Sequence, residues 1–241
     1  RDEAGETASR RRPMRRGGMR LVLRLFLLLL ALPPVLTLLY TVAPPVSTLM
    51  LARVVQGLWV DRTYVPLEEI SPHLVRSVIA SEDARFCLHG GIDWEALDRQ
   101  IDALGEGEDV RGASTITMQV AKNLFLWNGR SYVRKGLELP LALMLDAMLS
   151  KRRILEIYLN IAEWGEGVFG AEAAAQAWFG RPAADLTREQ AARLATALPN
   201  PIARNPARPK PGHARLARIN RGRAAAIDPH LECLPGFPGS N

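Results

Sequence analysis

Residues 76–93 read Arg76-Ser-Val-Ile-Ala-Ser-Glu82-Asp83-Ala-Arg-Phe86-Cys87-Leu-His89-Gly-Gly-Ile-Asp93, and the rest of the chain is organised around this stretch. Its first half completes a helix. Ser71 is the expected N-cap, Pro72 takes the first helical position, and Leu74, Val75, Val78 and Ile79 write an apolar face. Glu82 follows Val78 by four residues and Ile79 by three, so it shares that face where another apolar residue is expected. Partial desolvation and the negative end of the helix dipole both predict a raised pKa, toward the range useful to a general base. The plainer account is a glutamate snorkelling at a fraying helix end, and this stretch alone does not decide between the two.

A chain of 241 residues has room for one folded domain with a sizeable core plus an anchor or tail, but not for a second large catalytic domain. A net charge of +6 is compatible with nucleic acid, an anionic membrane surface or a phosphorylated substrate. Much of it has an address. Arg10, Arg11, Arg12, Arg15, Arg16 and Arg20 precede residues 21–43, an apolar run whose only charge is Arg24. That run exceeds the about 7–15 residues of a secretory h-region and is long enough to span a bilayer, with Pro33 and Pro34 tolerated mid-span. The arginines predict a cytoplasmic N-terminus and an extracytoplasmic domain. The organisation expected is a basic tail at 1–20 (residues 1–19 disordered), a transmembrane helix at 21–43, a linker at 44–57, a domain at 58–227 and a flexible tail at 228–241. Cys87 and Cys233 form no framework and are expected to be unpaired.

Beyond the opening helix, Asp93 caps a helix carrying Trp94, Leu97, Ile101 and Leu104 that Gly105 stops, and residues 105–113 read as a mobile loop of the kind that can act as a lid. Ser114 is the expected cap of a helix from Thr115 to about Leu126. One face of that helix bears Thr115, Gln119, Lys122 and Asn123, a stripe with less charge than a solvated surface usually has. Leu124, Phe125, Leu126 and Trp127 form either core or a lip touching lipid. Leu137–Leu149 reads as a buried helix with Pro140 in its first turn, followed by an amphipathic helix pairing Arg152 with Glu156. Residues 170–179 are Ala-rich, Thr187 with Gln190 forms a capping box, and a basic helix runs from His213 to about Ile227. No segment after the apolar run shows convincing period-two alternation. The domain is therefore expected to be mainly α.

Two carboxylates on apolar helices, Glu82 and Glu138, come with the cations Lys122, Arg134 and Lys135; Arg130 precedes the last two. Hydrolysing a glycosidic bond needs an acid to protonate the leaving sugar oxygen. A diphosphate leaving group needs counter-charge instead, and fixed Arg and Lys side chains supply it. One base plus a basic cluster fits glycosyl transfer from a sugar diphosphate. No paired His or Asp spacing marks a metal site; the sequence requires no cofactor, and a divalent cation such as magnesium stays open.

Four ordered motifs then carry a resemblance. Glu82-Asp83-x-x-Phe86-x-x-His89-x-Gly91-x-Asp93, Gly112-Ala113-Ser114-Thr115-Ile116-Thr117-x-Gln119-x-x-Lys122-Asn123, Arg134-Lys135-x-x-Glu138 and Lys151-x-x-Ile154-Leu155-Glu156-x-Tyr158-Leu159-Asn160 resemble the motifs of the peptidoglycan glycosyltransferases, shared by class A penicillin-binding proteins and their monofunctional relatives. The similarity extends over about residues 58–225. It implies a lysozyme-like, mainly α fold with a small membrane-dipping jaw, and β-1,4 polymerisation of lipid II with release of undecaprenyl diphosphate. By carry-over Glu82 is the base on the acceptor hydroxyl, supported by Asp83, Phe86 and His89. Lys122, Arg134 and Lys135 hold the diphosphate, Glu138 orders that site, and Ser114, Thr115, Gln119 and Asn123 line the cleft. Met118 stands where the family usually has Gln, and Pro140 follows Glu138 where a helix normally continues.

The partners so implied are lipid II, the growing lipid-linked strand, the bacterial inner membrane and other wall-synthesis proteins, with no nucleic acid and a periplasmic catalytic domain. A lysozyme-like lytic enzyme would share the leading Glu without needing the cations, and a wall scaffold would need neither carboxylate. No Ser has Lys three residues on and Lys-Thr-Gly is absent, so no cross-linking activity is expected from these residues.

Overall fold

The structure, a computed structural model, describes residues 16–106, 112–129 and 131–238. The expected disorder at residues 1–19 falls largely outside the described residues, as do Arg130 and 107–111 of the expected lid loop. Helix α1 (Arg16–Leu39) contains a stretch, Gly18–Leu39, of 22 residues and mean hydropathy 2.4 whose side chains are almost wholly exposed, the profile of a helix that faces lipid. It ends at Leu39 rather than at residue 43, and it carries Pro33 and Pro34 within it.

The chain then turns directly into the domain. Arg153 donates to the carbonyls of Tyr40 and Ala43, both at 2.8 Å, which ties the exit of α1 to the folded core. Residues 44–57, expected to be a linker, instead contain a docked helix, α2 (Thr48–Val55), capped by Ser47. Thr48 Oγ1 bonds the Asn123 and Leu126 carbonyls, and Arg53 forks onto both oxygens of Glu163 at 2.8 and 3.0 Å.

Strand β1 (Asp61–Arg62) leads to α3 (Pro72–Glu82), whose cap is Ser71 as its sequence requires. Leu74, Val75, Val78 and Ile79 are fully buried. Each such burial is worth roughly 1.5–3 kcal/mol, enough together to carry one polar side chain at the helix end. After α3 come α4 (Trp94–Gly105), α5 (Ile116–Phe125), α6 (Tyr132–Met148) and α7 (Lys151–Ile161). Strands β2 (Glu163–Gly165) and β3 (Val168–Phe169) form a hairpin, and β3 also pairs in parallel with β1. Gly167 sits at φ +75°, and a Cβ there would lie 2.4 Å from the Trp59 carbonyl oxygen. The fold closes with α8 (Ala171–Phe179), α9 (Arg188–Ala197, with the Thr187–Gln190 capping box) and α10 (Pro211–Ala225). The chain is mainly α. Helix α3 packs on α9 and α10, whereas α5 packs between α6 and α7.

Several expectations are corrected. Thr115, not Ser114, caps α5 by accepting from Met118 N. Helix α6 begins five residues before Leu137, so Pro140 lies in its interior and not in its first turn, with its ring on the exposed side of the helix. That helix is not buried throughout either: Glu138, Ala142 and Leu145 face inward while Leu137 and Leu143 are exposed. Arg152 pairs with Glu68, and it is Arg153 that takes Glu156. Finally, Cys87 and Cys233 form a disulfide across 146 residues, contrary to the unpaired expectation. The tail it holds is packed rather than flexible: Leu231 and Leu234 are fully buried, Phe237 is buried, and Arg76 bonds both Asp228 and the Pro238 carbonyl.

Candidate active site

Glu82 is the last residue of α3, and Asp83 leaves the helix at φ −163°, ψ 74°. The turn aims both carboxylates at α5. Glu82 Oε2 accepts from Gln119 Nε2 at 2.9 Å, and Gln119 Oε1 accepts from the Tyr158 hydroxyl at 3.1 Å. Burial pushes the Glu82 pKa up, while the Gln119 bond, the Lys122 charge and a bond from Ser81 pull against it and the Asp83 charge adds to the rise. The predicted direction is met, and its main cause is desolvation.

Asp83 is committed to structure. Its oxygens lie 3.0 and 3.2 Å from His89 Nε2, and Oδ2 also accepts from the Ile116 amide at 2.9 Å, a carboxylate seated at the N-terminus of α5. Lys151 fixes the same turn from the other side. Its ammonium bonds the His89 carbonyl at 2.6 Å and Asp146 at 2.7 Å and lies 4.8 Å from the centroid of the buried Phe86 ring. Gly91 permits this closeness, since a Cβ there would meet the Ala142 carbonyl oxygen at 2.9 Å. Thr115 Oγ1 donates to the Gly91 carbonyl at 2.6 Å.

Glu138 sits on the inward face of α6, 3% exposed, and accepts from Arg134 on one oxygen and from Lys135 Nζ, at 2.9 Å, on the other. Lys135 also donates to Ser114 Oγ at 2.9 Å. Lys122, one turn beyond Gln119, is partly buried. Burial lowers its pKa, the Glu138 charge opposes that most strongly, Arg134 and Lys135 lower it further, and Glu82 raises it. Lys122 thus lies within the fields of both carboxylates.

The expected residues therefore divide. Glu82, Gln119, Lys122, Ser114, Arg134, Lys135 and Glu138 converge around α5. Asp83, Phe86, His89 and Thr115 are buried or half-buried parts of the frame, and Asn123 is buried with its carbonyl bonded to Thr48. Met118, where the resemblance expects Gln, is in the core at 1% exposure. A cavity of 250 Å³ beside Glu82 is lined by Asp83, Ser114 and Thr115, and also by Arg85, Arg99 and Arg223, which sequence reading did not single out. Tyr158 and Gly91 were quoted within motifs without a role, and nothing local marks their use. Among the described residues no group of three or more His, Cys, Asp or Glu is arranged to hold a metal ion.

Known proteins resemble this chain over most of its length. A family model described as Transglycosylase matches residues 50–224. The biosynthetic peptidoglycan transglycosylase of Brucella suis biovar 1 is 56% identical over 216 residues, covering 88% of this chain and 96% of that protein. The protein of the same name from Rhodopseudomonas palustris strain TIE-1 is 56% identical over 211 residues, 87% of this chain and 89% of its own. That from Agrobacterium fabrum is 53% identical over 215 residues, 88% of this chain and 95% of its own.

Proposed function

The chain belongs to the transglycosylase family and is a peptidoglycan glycosyltransferase of cell-wall synthesis, and we propose that its chemistry runs along α5 between Glu82 and Glu138. The substrates are lipid II and the growing lipid-linked glycan strand. Glu82 takes the proton from the acceptor sugar hydroxyl as that oxygen attacks the anomeric carbon of the donor. The bond from that carbon to the diphosphate oxygen breaks, and undecaprenyl diphosphate leaves with the electron pair. Lys122, Arg134 and Lys135 meet the developing charge, and Glu138 keeps Arg134 and Lys135 aimed. The observation that carries the reading is the placement of Lys122, one turn from the Gln119 that bonds Glu82 and within the field of Glu138.

Helix α1 is the proposed single membrane anchor, with the N-terminus cytoplasmic and the domain on the outer side of the inner membrane. Its preceding arginines support that orientation, and so does the Cys87–Cys233 disulfide, which belongs to an oxidising compartment. Incubating the purified full chain with labelled lipid II tests the function. Polymeric glycan with release of undecaprenyl diphosphate is expected; cleavage of preformed glycan with lipid II left intact would overturn it.

A further inference from the structure

The Tyr158 hydroxyl is buried in the core of the domain, on a helix whose other inward residues are aliphatic or amide, and it reaches Gln119 Oε1 at 3.1 Å. A carboxamide has one acceptor and one donor end. When its oxygen is taken by a hydroxyl that donates, its NH2 group must face the other way, and here it faces Glu82 Oε2 at 2.9 Å. We propose that Tyr158 is a positioning residue for the glycosyl transfer: by fixing which end of the Gln119 amide meets Glu82, it keeps the buried carboxylate ionised and able to take a proton.

Two facts support a donor role for the hydroxyl. Burial first, and then the charges of Glu82 and Asp83, raise the Tyr158 pKa well above that of a free phenol, so it keeps its proton across the working range. An ionised Glu82 accepts only, so the chain of bonds Tyr158 to Gln119 to Glu82 has a single consistent direction. A tyrosine that merely satisfied its own hydroxyl would not influence Glu82. One that orients Gln119 would, because the hydrogen bond from that amide is what most opposes the effect of burial on the carboxylate. The other groups facing Glu82 are Ser81 and Asp83 from its own helix end and Lys122 from α5, with Arg85, Asp93, Arg99 and Arg223 lining the cavity beside it.

The inference rests on Glu82 as the base, and the experiment separates the two. The full chain, its Tyr158→Phe variant, Gln119→Met and the double variant are assayed for lipid II polymerisation across pH. Loss of the hydroxyl should move the acidic limb of kcat/KM upward by about one pH unit, about a tenfold loss below the limb that recovers above it. Gln119→Met should move the limb in the same direction, and the double variant should move it no further than Gln119→Met. Equal loss at every pH, an unmoved limb, or additive shifts would overturn the inference. If Tyr158→Phe fails to fold, difluorotyrosine at position 158 keeps the ring and strengthens the donor. The limb should then move downward, and an unmoved limb overturns the proposal. An active Glu82→Gln variant sinks the base assignment itself, whereas an inactive one with an unmoved limb in Tyr158→Phe sinks only the role of Tyr158.

Discussion

Glu82 and Glu138 are the same side chain brought to one helix, α5, by two different neighbours, and their company differs in kind. Glu138 is gripped by two cations, Arg134 and Lys135. Glu82 is met by a neutral amide, with the Lys122 charge acting through space. A carboxylate held by a cation on each oxygen serves as a fixed anchor. One that is buried against an amide has its two protonation states brought closer in energy, which suits a group that must gain and lose a proton in each cycle. The difference arises from backbone placement: the end of α3 delivers Glu82 to the Gln119 amide of α5, while α6 places Arg134 and Lys135 four and three residues before Glu138.

The sharpest way to break that contrast is to neutralise each carboxylate in turn. Glu82→Gln should lower kcat for lipid II polymerisation about 10²–10⁴-fold with the fold intact, read by single-turnover kinetics beside a circular-dichroism melt; near-normal turnover would end the distinction. Replacing the cations is the next largest change. Arg134→Ala and Lys135→Ala should each slow transfer by about 10²-fold, because the leaving diphosphate loses a preorganised donor. Unchanged rates in both would move the diphosphate elsewhere.

A smaller effect sharpens the contrast through pH. Because burial raises the Glu82 pKa, its contribution to stability is fully present below the unfolded pKa and is lost as pH rises through the folded one. Glu82→Gln should therefore match the parent in thermal stability in acid and exceed it increasingly toward neutral pH. A constant difference at all pH values would mean the carboxylate is not destabilised by its surroundings.

The Cys87–Cys233 bond holds the turn that carries Phe86 and His89 against the tail. Replacing both cysteines by Ser should cost about 2–4 kcal/mol of stability. Denaturant melts of oxidised, reduced and double-Ser protein provide the check, and equal stabilities would show that packing of Leu231 and Leu234 alone holds the tail.

What the sequence made legible was local. Ser71, Asp93 and the Thr187–Gln190 box cap the helices they were expected to cap, because a cap is written within four residues of its helix. The seat of Glu82 was readable for the same reason, being set by its spacing from Val78 and Ile79. Contacts across long separations were not readable. Arg152 finds Glu68 instead of the glutamate four residues on, Arg153 reaches back to residues 40 and 43, and Cys87 pairs across 146 residues. The tail at 228–241 was expected to be flexible, yet Leu231 and Leu234 complete a core built by other segments. Within the site, Gln119 lay on a visible polar stripe, whereas Tyr158 differs from a core aromatic only by where its oxygen ends.

Arg153 has a consequence for how the enzyme meets its substrate. With one guanidinium closed on the Tyr40 and Ala43 carbonyls, and α2 pinned to α5 just beyond, the chain leaving α1 is tied to the domain at two successive points. A domain on a slack tether samples many heights and headings above a bilayer, and most of its encounters with a lipid-linked molecule are wasted. With α1 as the proposed anchor, the cleft would inherit the tilt and heading of that helix, and lateral collisions would arrive at one elevation and from a restricted set of bearings. On that proposed anchoring, the search for substrate would become one of drift within a plane, with the mouth of the enzyme turned to a fixed compass point.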